Sequence, residues 1–333
     1  MKNDPLGTQP PFVSGQRSPT LQTLARSERF GDLKKLLRGI WVDHLPQLVN
    51  IHRLKTYRIE TLGQLGRPID GRRLCQESQA GKSAIAWRLK EILSEERIAQ
   101  GLEPNPYQVV IITIQRGMTI KNFLLASLNK LKDGMLKLEF ERSKASKSET
   151  IQTLEERFAE WVLKLGVELV FIEEVQRLVG DRQDAKRVTE QFQTMLDNGV
   201  AALVLMGTEL AEPLFTSNKE LRPRLGTPLE LLPVPGTNDD DAKMLQDFCQ
   251  SYDEQLVSKG VFKLRSNLDE PEVVEPLSLV TGGHIGRVAR LFREAAIGAV
   301  ERGADFVELY DLSNATRGYG IENEWTQTDP FSK

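Results

Sequence analysis

The sequence predicts an α/β fold, a parallel sheet covered by helices on both faces, followed by a small all-helical unit. Three observations lead there. Short apolar runs alternate with amphipathic stretches as far as residue 232, two of those runs are apolar at almost every position, and only helical patterns remain from Pro235 onward. Strand and helix in alternation build βαβ units around a parallel sheet. Strands that are apolar without a polar face are buried on both sides.

The elements follow in order. Residues 1–19 carry Pro5, Pro10, Pro11 and Pro19 among Gly and Ser and read as a mobile arm. A helical lead-in occupies residues 20–60, its pattern running from Leu21 to about Tyr57 and carrying Arg26, Arg29, Lys34, Lys35, Arg38, Arg53 and Lys55. Gly63, Gly66 and Gly71 close it. The α/β unit spans 61–234. Its strands are Arg73–Gln76, Gln108–Ile114, Val167–Ile172, Ala201–Met206 and Pro228–Leu232. Its helices are Lys82–Arg97, Ile120–Leu131, Thr150–Leu165 and Asp184–Leu196, with Leu165-Gly166 and Asp197-Asn198-Gly199 as turns. The helical unit, 235–320, holds helices near Asp239–Ser258, Pro276–Val280, Ile285–Arg302 and Glu308–Ala315. Asp239-Asp240-Asp241 suits a helix N-terminus, where carboxylates oppose the dipole. In the polar tail, 321–333, Trp325 and Phe331 are isolated apolar residues that dock on a partner or pack back on their own domain.

Composition narrows the function. The 333 residues are 40% hydrophobic and 27% charged, with 44 Lys+Arg against 47 Asp+Glu and a net charge of -3, which argues against a globally basic nucleic-acid packer while allowing a local basic face. The only cysteines, Cys75 and Cys249, build neither a disulfide scaffold nor a multi-cysteine zinc site, and three histidines make a His-rich metal centre unlikely chemistry for this chain. No apolar run has membrane-spanning length and no signal-peptide core is visible, so a cytoplasmic location without membrane contact is expected.

One motif carries chemistry by itself. Gln76-Glu77-Ser78-Gln79-Ala80-Gly81-Lys82-Ser83 joins a strand to a helix in the manner of a phosphate-binding loop, with Gln76 where the pattern has its first glycine. Successive backbone N–H groups at a helix N-terminus cradle phosphate, Lys82 reaches the β- and γ-phosphates, and the Ser83 hydroxyl serves Mg²⁺. The apolar strand Leu169–Ile172 then ends in Glu173-Glu174. At the carboxyl end of a parallel strand both acids face the loop, Glu173 toward the metal and Glu174 toward an attacking water. Glu173 stands where such sites usually have Asp, and its extra methylene calls for a shifted metal. The next strand ends at Gly207-Thr208-Glu209, placing Thr208 at the same rim or, more simply, at the cap of the next helix. Arg222 and Arg224 precede the last strand and suit a γ-phosphate on a neighbouring subunit. Arg287, in Gly282-Gly283-His284-Ile285-Gly286-Arg287, is expected to lean over the nucleotide, with His284 packing or capping.

Together these features resemble an AAA+ ATPase and, more narrowly, the TniB/TnsC family of transposition regulators, functional relatives of MuB. The likeness rests on Gln79-Ala80-Gly81-Lys82-Ser83, on Phe171-Ile172-Glu173-Glu174-Val175-Gln176-Arg177-Leu178 and on Val204-Leu205-Met206-Gly207-Thr208-Glu209. It rests further on Thr281–Arg287 followed by Leu291-Phe292-Arg293-Glu294-Ala295-Ala296, and it covers about residues 60 to 318. The resemblance implies a P-loop AAA+ domain with a helical lid, ATP and Mg²⁺ as cofactors, and slow hydrolysis given Gln76 and Glu173. It implies a homo-oligomer, ring or helical filament, on double-stranded DNA. Such a filament links a target-selection factor (TniQ-like or a CRISPR effector) to a DDE transposase. A helicase-loader or initiator-type AAA+ protein of replication and a DNA-independent signalling P-loop ATPase are the alternatives. Residues 121–147 hold an excess of four positive charges, and relatives that encircle DNA place channel-lining elements there. Of the seven basic residues there, Lys137 among them, Lys121, Lys130, Lys132, Arg142, Lys144 and Lys147 are the expected phosphate contacts, Lys121 and Lys144 nearest. No helix-turn-helix or aromatic base-stacking pattern is present for base readout.

Overall fold

The computed structural model describes residues 31–137, 149–180 and 183–332. The N-terminal arm, Arg26 and Arg29 lie outside these residues, as do Arg142, Lys144 and Lys147. Among the described residues, no helix is long and apolar enough to cross a membrane.

Among the described residues the helical lead-in holds two helices. The described part of α1 (31–38) ends at Gly39, and α2 (Leu45–Leu62) starts afresh with Pro46 in its first turn, where a missing N–H costs nothing. Four strands follow, β1 (Arg72–Cys75), β2 (Val109–Thr113), β3 (Leu169–Glu173) and β4 (Ala202–Gly207), all parallel and in the order β1-β4-β3-β2. Between them run α3 (Lys82–Ala99), α4 (Ile120–Lys137), α5 (Ile151–Lys164) and α6 (Gln183–Asp197); the short α7 (Glu212–Ser217) follows β4. Alternation within each strand sorts the side chains to two cores. Val110, Ile112, Val170, Ile172, Leu203 and Leu205 pack with Phe123, Phe158 and Phe192 on one face. Val109, Ile111, Leu169, Phe171, Val204 and Met206 pack with α2 and α3 on the other. Register pairs Cys75 with Gly207 and Thr113 with Glu173, so the strands finish at one rim.

The expected fifth strand, Pro228–Leu232, is not one. Residues 225–231 run along the outer side of β1 and make one parallel bridge, Gly71 with Leu225, then isolated bonds such as Leu229 N to Arg73 O (2.8 Å). Pro228 and Pro233 have no N–H to donate, so no ladder propagates.

Behind this edge lies the helical unit α8 (Asp239–Ser258), α9 (Pro271–Thr281), α10 (Ile285–Glu301) and α11 (Leu309–Ala315). The Asn238 side chain caps α8, accepting from Asp241 N at 2.9 Å, ahead of the aspartates expected there. Helix α9 begins five residues before the expected Pro276 because Pro271 opens it, and Pro276 lies inside it. Leu33, Leu37 and Ile40 of the lead-in and Phe331 of the tail are buried in this core, so Phe331 packs back on its own chain.

One contact ties α2 to the sheet. The Tyr57 hydroxyl is buried, donates to Leu203 O (3.2 Å) and accepts from Leu203 N (2.9 Å), filling the place of a strand partner just before β1 begins opposite Val204. Burial pushes its pKa up to about 12, so it remains a phenol. Tyr57→Phe strands the Leu203 N–H in the core and is expected to cost about 1–3 kcal/mol, read by denaturant unfolding.

Candidate functional site

The rim where the strands end carries the site. Gln76 to Ser83 leave β1 and turn into α3 with Gly81 at φ 104 and Gln79 at φ 64, both left-handed. Gln76 is not among the left-handed residues, so its backbone needs no glycine. Its side chain instead accepts a hydrogen bond from Leu231 N at 2.6 Å and pins the start of the loop to the segment outside β1. Lys82 folds into the loop, its ammonium donating to Gln76 O (2.7 Å) and Glu77 O. Burial lowers its pKa, opposed by the carboxylates of Glu209, Glu174 and Glu77. Burial also pushes Cys75 up to about 12, leaving it a neutral thiol.

Across the rim, Glu173 Oε2 accepts from Thr113 Oγ1 (3.1 Å), while its Oε1 is buried with no hydrogen-bond partner. The Thr208 hydroxyl is buried without a partner too; Thr208 stands before the 3-10 turn Glu209–Ala211 but its side chain does not cap it. Orphaned oxygens of this kind are costly unless something is to pair with them. Carboxylate and hydroxyl oxygens are hard donors that fit Mg²⁺. Among the described residues no three His, Cys, Asp or Glu side chains gather, so an ion here would draw most of its ligands from phosphate and water.

Glu174 adopts the left-handed conformation (φ 64, ψ 34), which turns its carboxylate off the strand direction. That carboxylate accepts from Gln176 Nε2 (3.1 Å) and pairs with Arg177 (2.9 Å), which also donates to Ile114 O at 2.8 Å. Gln176 Oε1 accepts from Thr208 N (3.2 Å), so one amide links Glu174 to Thr208. Gly207 makes room for it: a Cβ there would lie 2.7 Å from Gln176 Oε1. Gln176 and Arg177 lie within the quoted β3 run, yet no role is readable for them in the sequence, because their function depends on the backbone reversal at Glu174.

The helical unit closes the site through the glycine motif. Gly282 ends α9 in a left-handed turn, and Gly283 (φ 74) presses against Val234, whose N–H it accepts at 2.8 Å. In the first turn of α10, a Cβ on Gly286 would overlap the Gln79 carbonyl and lie 2.8 Å from Gly81 N. The helix therefore touches the loop backbone to backbone. Arg287 then reaches Glu77 (2.6 Å), and its buried Nε has no partner. His284 makes no cap; its Nε2 faces Glu77 at 3.3 Å, and burial followed by Arg287 lowers its pKa.

A cavity of about 800 Å³ runs outward from the loop, lined by Gln79, Gly81 and Ser83, by Trp87 of α3, by Ile40, Trp41, Val42 and His44, and by Tyr252 and Arg290 of the helical unit. Trp41 holds that lining in place, its Nε1 donating to Asp43 (2.7 Å) and its N–H to Gln255 of α8 (3.1 Å). His44 and Gln47, not singled out in the sequence, line the cavity with buried His44 Nδ1 and Gln47 Oε1 unpaired.

Other expected residues stand apart. Arg222 is exposed, and Arg224 pairs with Asp197 (2.7 Å) while its carbonyl accepts from Gly71 N, at the amino end of β1 and away from this chain's loop. Lys121 opens α4 at the rim. Lys130 is half a turn of azimuth from Lys121, whereas Lys132 returns to its side, roughly 16 Å down the axis at 1.5 Å per residue. The three lysines thus do not form one face.

Residues 74–215 match the family model of an AAA domain. No curated protein sequence matches the chain. Among solved structures, it is similar to the ORC1 protein of Aeropyrum pernix in complex with DNA, at 15% identity and TM-score 0.58, over 86% of this chain and 69% of that one. It is similar also to the Aeropyrum pernix ORC2 protein in its ADPNP-ADP complexes (13%, TM-score 0.57, 85% and 71%). A third match is Cdc6p from Pyrobaculum aerophilum (12%, TM-score 0.57, 86% and 70%). At these identities the likeness is one of fold. The fold is the P-loop AAA+ fold, a parallel sheet with its loop at the carboxyl rim.

Two outcomes test this geometry. Gly286→Ala is expected to destabilise by about 1–3 kcal/mol through overpacking against the loop. Gly298→Ala on the same helix, with nothing within 4 Å of its Cβ, is expected to stabilise by up to about 1 kcal/mol; thermal melts compare them. His44 is lowered from an ordinary 6.5 to about 4, burial outweighing Asp43. Because the unfolded chain takes up this proton first, stability is full above pH 6.5 and is lost as the pH falls to about 4, on the order of 3 kcal/mol. His44→Asn is expected to flatten that part of a stability-against-pH profile.

Proposed function

We propose that the protein is a slow, ATP-dependent AAA+ regulator that assembles on double-stranded DNA. The observation that carries this reading is the convergence, at one rim, of the Gly81-Lys82 loop, the Glu173–Glu174 pair and Arg287 of α10. In it, residues 61–234 are the nucleotide-binding domain and 235–320 its lid.

Gln76 to Ser83 wrap the phosphates with their N–H groups, and Lys82 exchanges the Gln76 and Glu77 carbonyls for phosphate oxygens. Ser83 and Glu173, whose Oε1 awaits a partner, hold Mg²⁺, which offsets the phosphate charge. Glu174 orients and polarises the attacking water once its carboxylate leaves Arg177 and Gln176, an extra step that suits slow turnover. Thr208 contributes its unpaired hydroxyl to the γ-phosphate, and Arg287 swings from Glu77 to the same group, bringing the lid with it. Arg222 or Arg224, away from their own loop, act on a neighbour's nucleotide, which makes a homo-oligomer the working form. Lys121 and Lys132, which share one side of α4, with Arg142, Lys144 and Lys147, neutralise DNA phosphates without reading sequence.

The TniB/TnsC-like motifs support a transposition regulator joining a target-selection factor to a DDE transposase. The fold likeness to ORC1 bound to DNA and to Cdc6p favours a second reading, an initiator or helicase loader. Electron microscopy with duplex DNA and ATP, a non-hydrolysable analogue, ADP or no nucleotide tests the shared part: filaments or stacked rings are expected only with ATP-like ligands. Capture of a transposase by the assembly supports the first reading, and capture of a replicative helicase the second. Lys82→Ala is expected to abolish nucleotide-dependent assembly. Glu174→Gln is expected to keep assembly, prolong it and lower ATP turnover about a hundredfold or more, the contribution of a positioned base; unchanged turnover would remove Glu174 from the mechanism.

A further inference from the structure

The C-terminal segment reaches the phosphate loop. Beyond α11 the backbone widens into one π turn, Thr316–Ile321, a distortion that concentrates at functional sites. This turn carries Tyr319 into the wall of the large cavity, with its hydroxyl 3.4 Å from Gln79 Oε1. Gln79 is the non-glycine residue of the loop held left-handed, so the side chain that Tyr319 meets belongs to a strained position of the loop.

The same aromatic group holds two lid arginines. Arg290 lies over the Tyr319 ring, 4.5 Å from its centroid, and Arg287 lies over Trp325 at 5.7 Å. Tyr319 and Trp325 meet edge to face with centroids 5.2 Å apart. Close packing fixes the turn: Gly320 is buried, and a Cβ there would come within 3.3 Å of Val280. Farther on, the Ser313 hydroxyl donates to Asp329 (2.6 Å), and Phe331 is sunk in the lid core. The segment is thus anchored on both sides of Trp325.

We propose that Tyr319 is a positioning residue of the nucleotide site. Its hydroxyl steadies Gln79, its ring and Trp325 hold Arg290 and Arg287 above the loop, and the C-terminal segment thereby registers whether nucleotide is bound. The proposal rests on the nucleotide reading and adds a wall to the site. When Arg287 turns from Glu77 toward phosphate, it leaves the Trp325 face, so occupancy changes the surroundings of that indole.

The full-length protein tests this with two measurements. Equilibrium dialysis against radiolabelled ATP compares unaltered protein with Tyr319→Phe, which keeps the ring and loses the hydroxyl, and with Tyr319→Ala, which loses both. Loss of one hydrogen bond predicts affinity about threefold weaker for the first, and loss of the stacking as well predicts about tenfold or more for the second. Thermal melts separate these effects from unfolding, and Tyr319→Phe decides the matter if the alanine variant does not fold. Tryptophan fluorescence on adding ATP is then compared between unaltered protein and Trp325→Phe, since Trp41 and Trp87 also line the cavity. A clear part of the ATP-induced change is expected to disappear with Trp325. Unaltered affinity in both folded Tyr319 variants, or a fluorescence change untouched by Trp325→Phe, overturns the proposal and leaves the nucleotide reading standing. No ATP binding by the unaltered protein overturns both.

Discussion

The junction between loop and lid depends on one close approach, the backbone of Gly286 against the carbonyl of Gln79 and the nitrogen of Gly81. A helix of the second unit begins on the phosphate loop of the first with no side chain between them. Because packed interfaces resist small deformations, a shift of either partner is felt by the other. The surrounding glycines serve this contact. Gly282 and Gly283 turn the chain sharply out of α9, and Gly283 fits against Val234 so that α10 can start where it does. Arg287, one residue after the contact, is thereby delivered to Glu77 at the loop mouth.

The acidic side of the rim follows a different logic. Glu173 and Glu174 are adjacent in sequence yet face separate tasks, because the left-handed backbone at Glu174 breaks the strand direction. Glu173 stays in register with Thr113 and keeps one buried oxygen unpaired. Glu174 turns to Arg177 and Gln176, and Gln176 passes the connection on to Thr208. Glu77 acts similarly on the lid side, where His284 and Arg287 share its carboxylate. A phosphate arriving at the rim would compete with carboxylates for Arg287 and with carbonyls for Lys82, so the site is arranged to exchange partners.

Much of this was legible in the sequence. Four of the five expected strands are present within two residues at their ends, as are the helices expected from Lys82, Thr150 and Asp184, because their hydrophobic periods are strong and tertiary packing agrees with them, while the helix from Ile120 runs on to Lys137, past its expected end at Leu131. The helix near Asp239–Ser258 was legible from its acidic first turn, and the structure adds the Asn238 cap. Pro228–Leu232 misleads because its composition suits a strand while Pro228 and the following Pro233 forbid the ladder. Gln76 looks like a defect when only the motif is considered. In the fold it is an anchor, since its partner, Leu231 N, lies 155 residues away in sequence.

By itself the sequence determined the α/β class, the order of elements, the phosphate loop and the pair of acids at a strand end. These are local properties: periodicity, turn chemistry and backbone allowances act within a few residues. Tertiary structure alone decided what those groups touch. It set Arg287 on Glu77, linked Glu174 to Thr208 through Gln176, held Arg224 on Asp197 at the far end of the sheet, split the lysines of α4 between two sides, and brought Tyr319 to Gln79 across 240 residues. Such contacts depend on how separate elements pack and on single backbone reversals at Glu174 and the π turn, and neither leaves a period or a spacing in the chain.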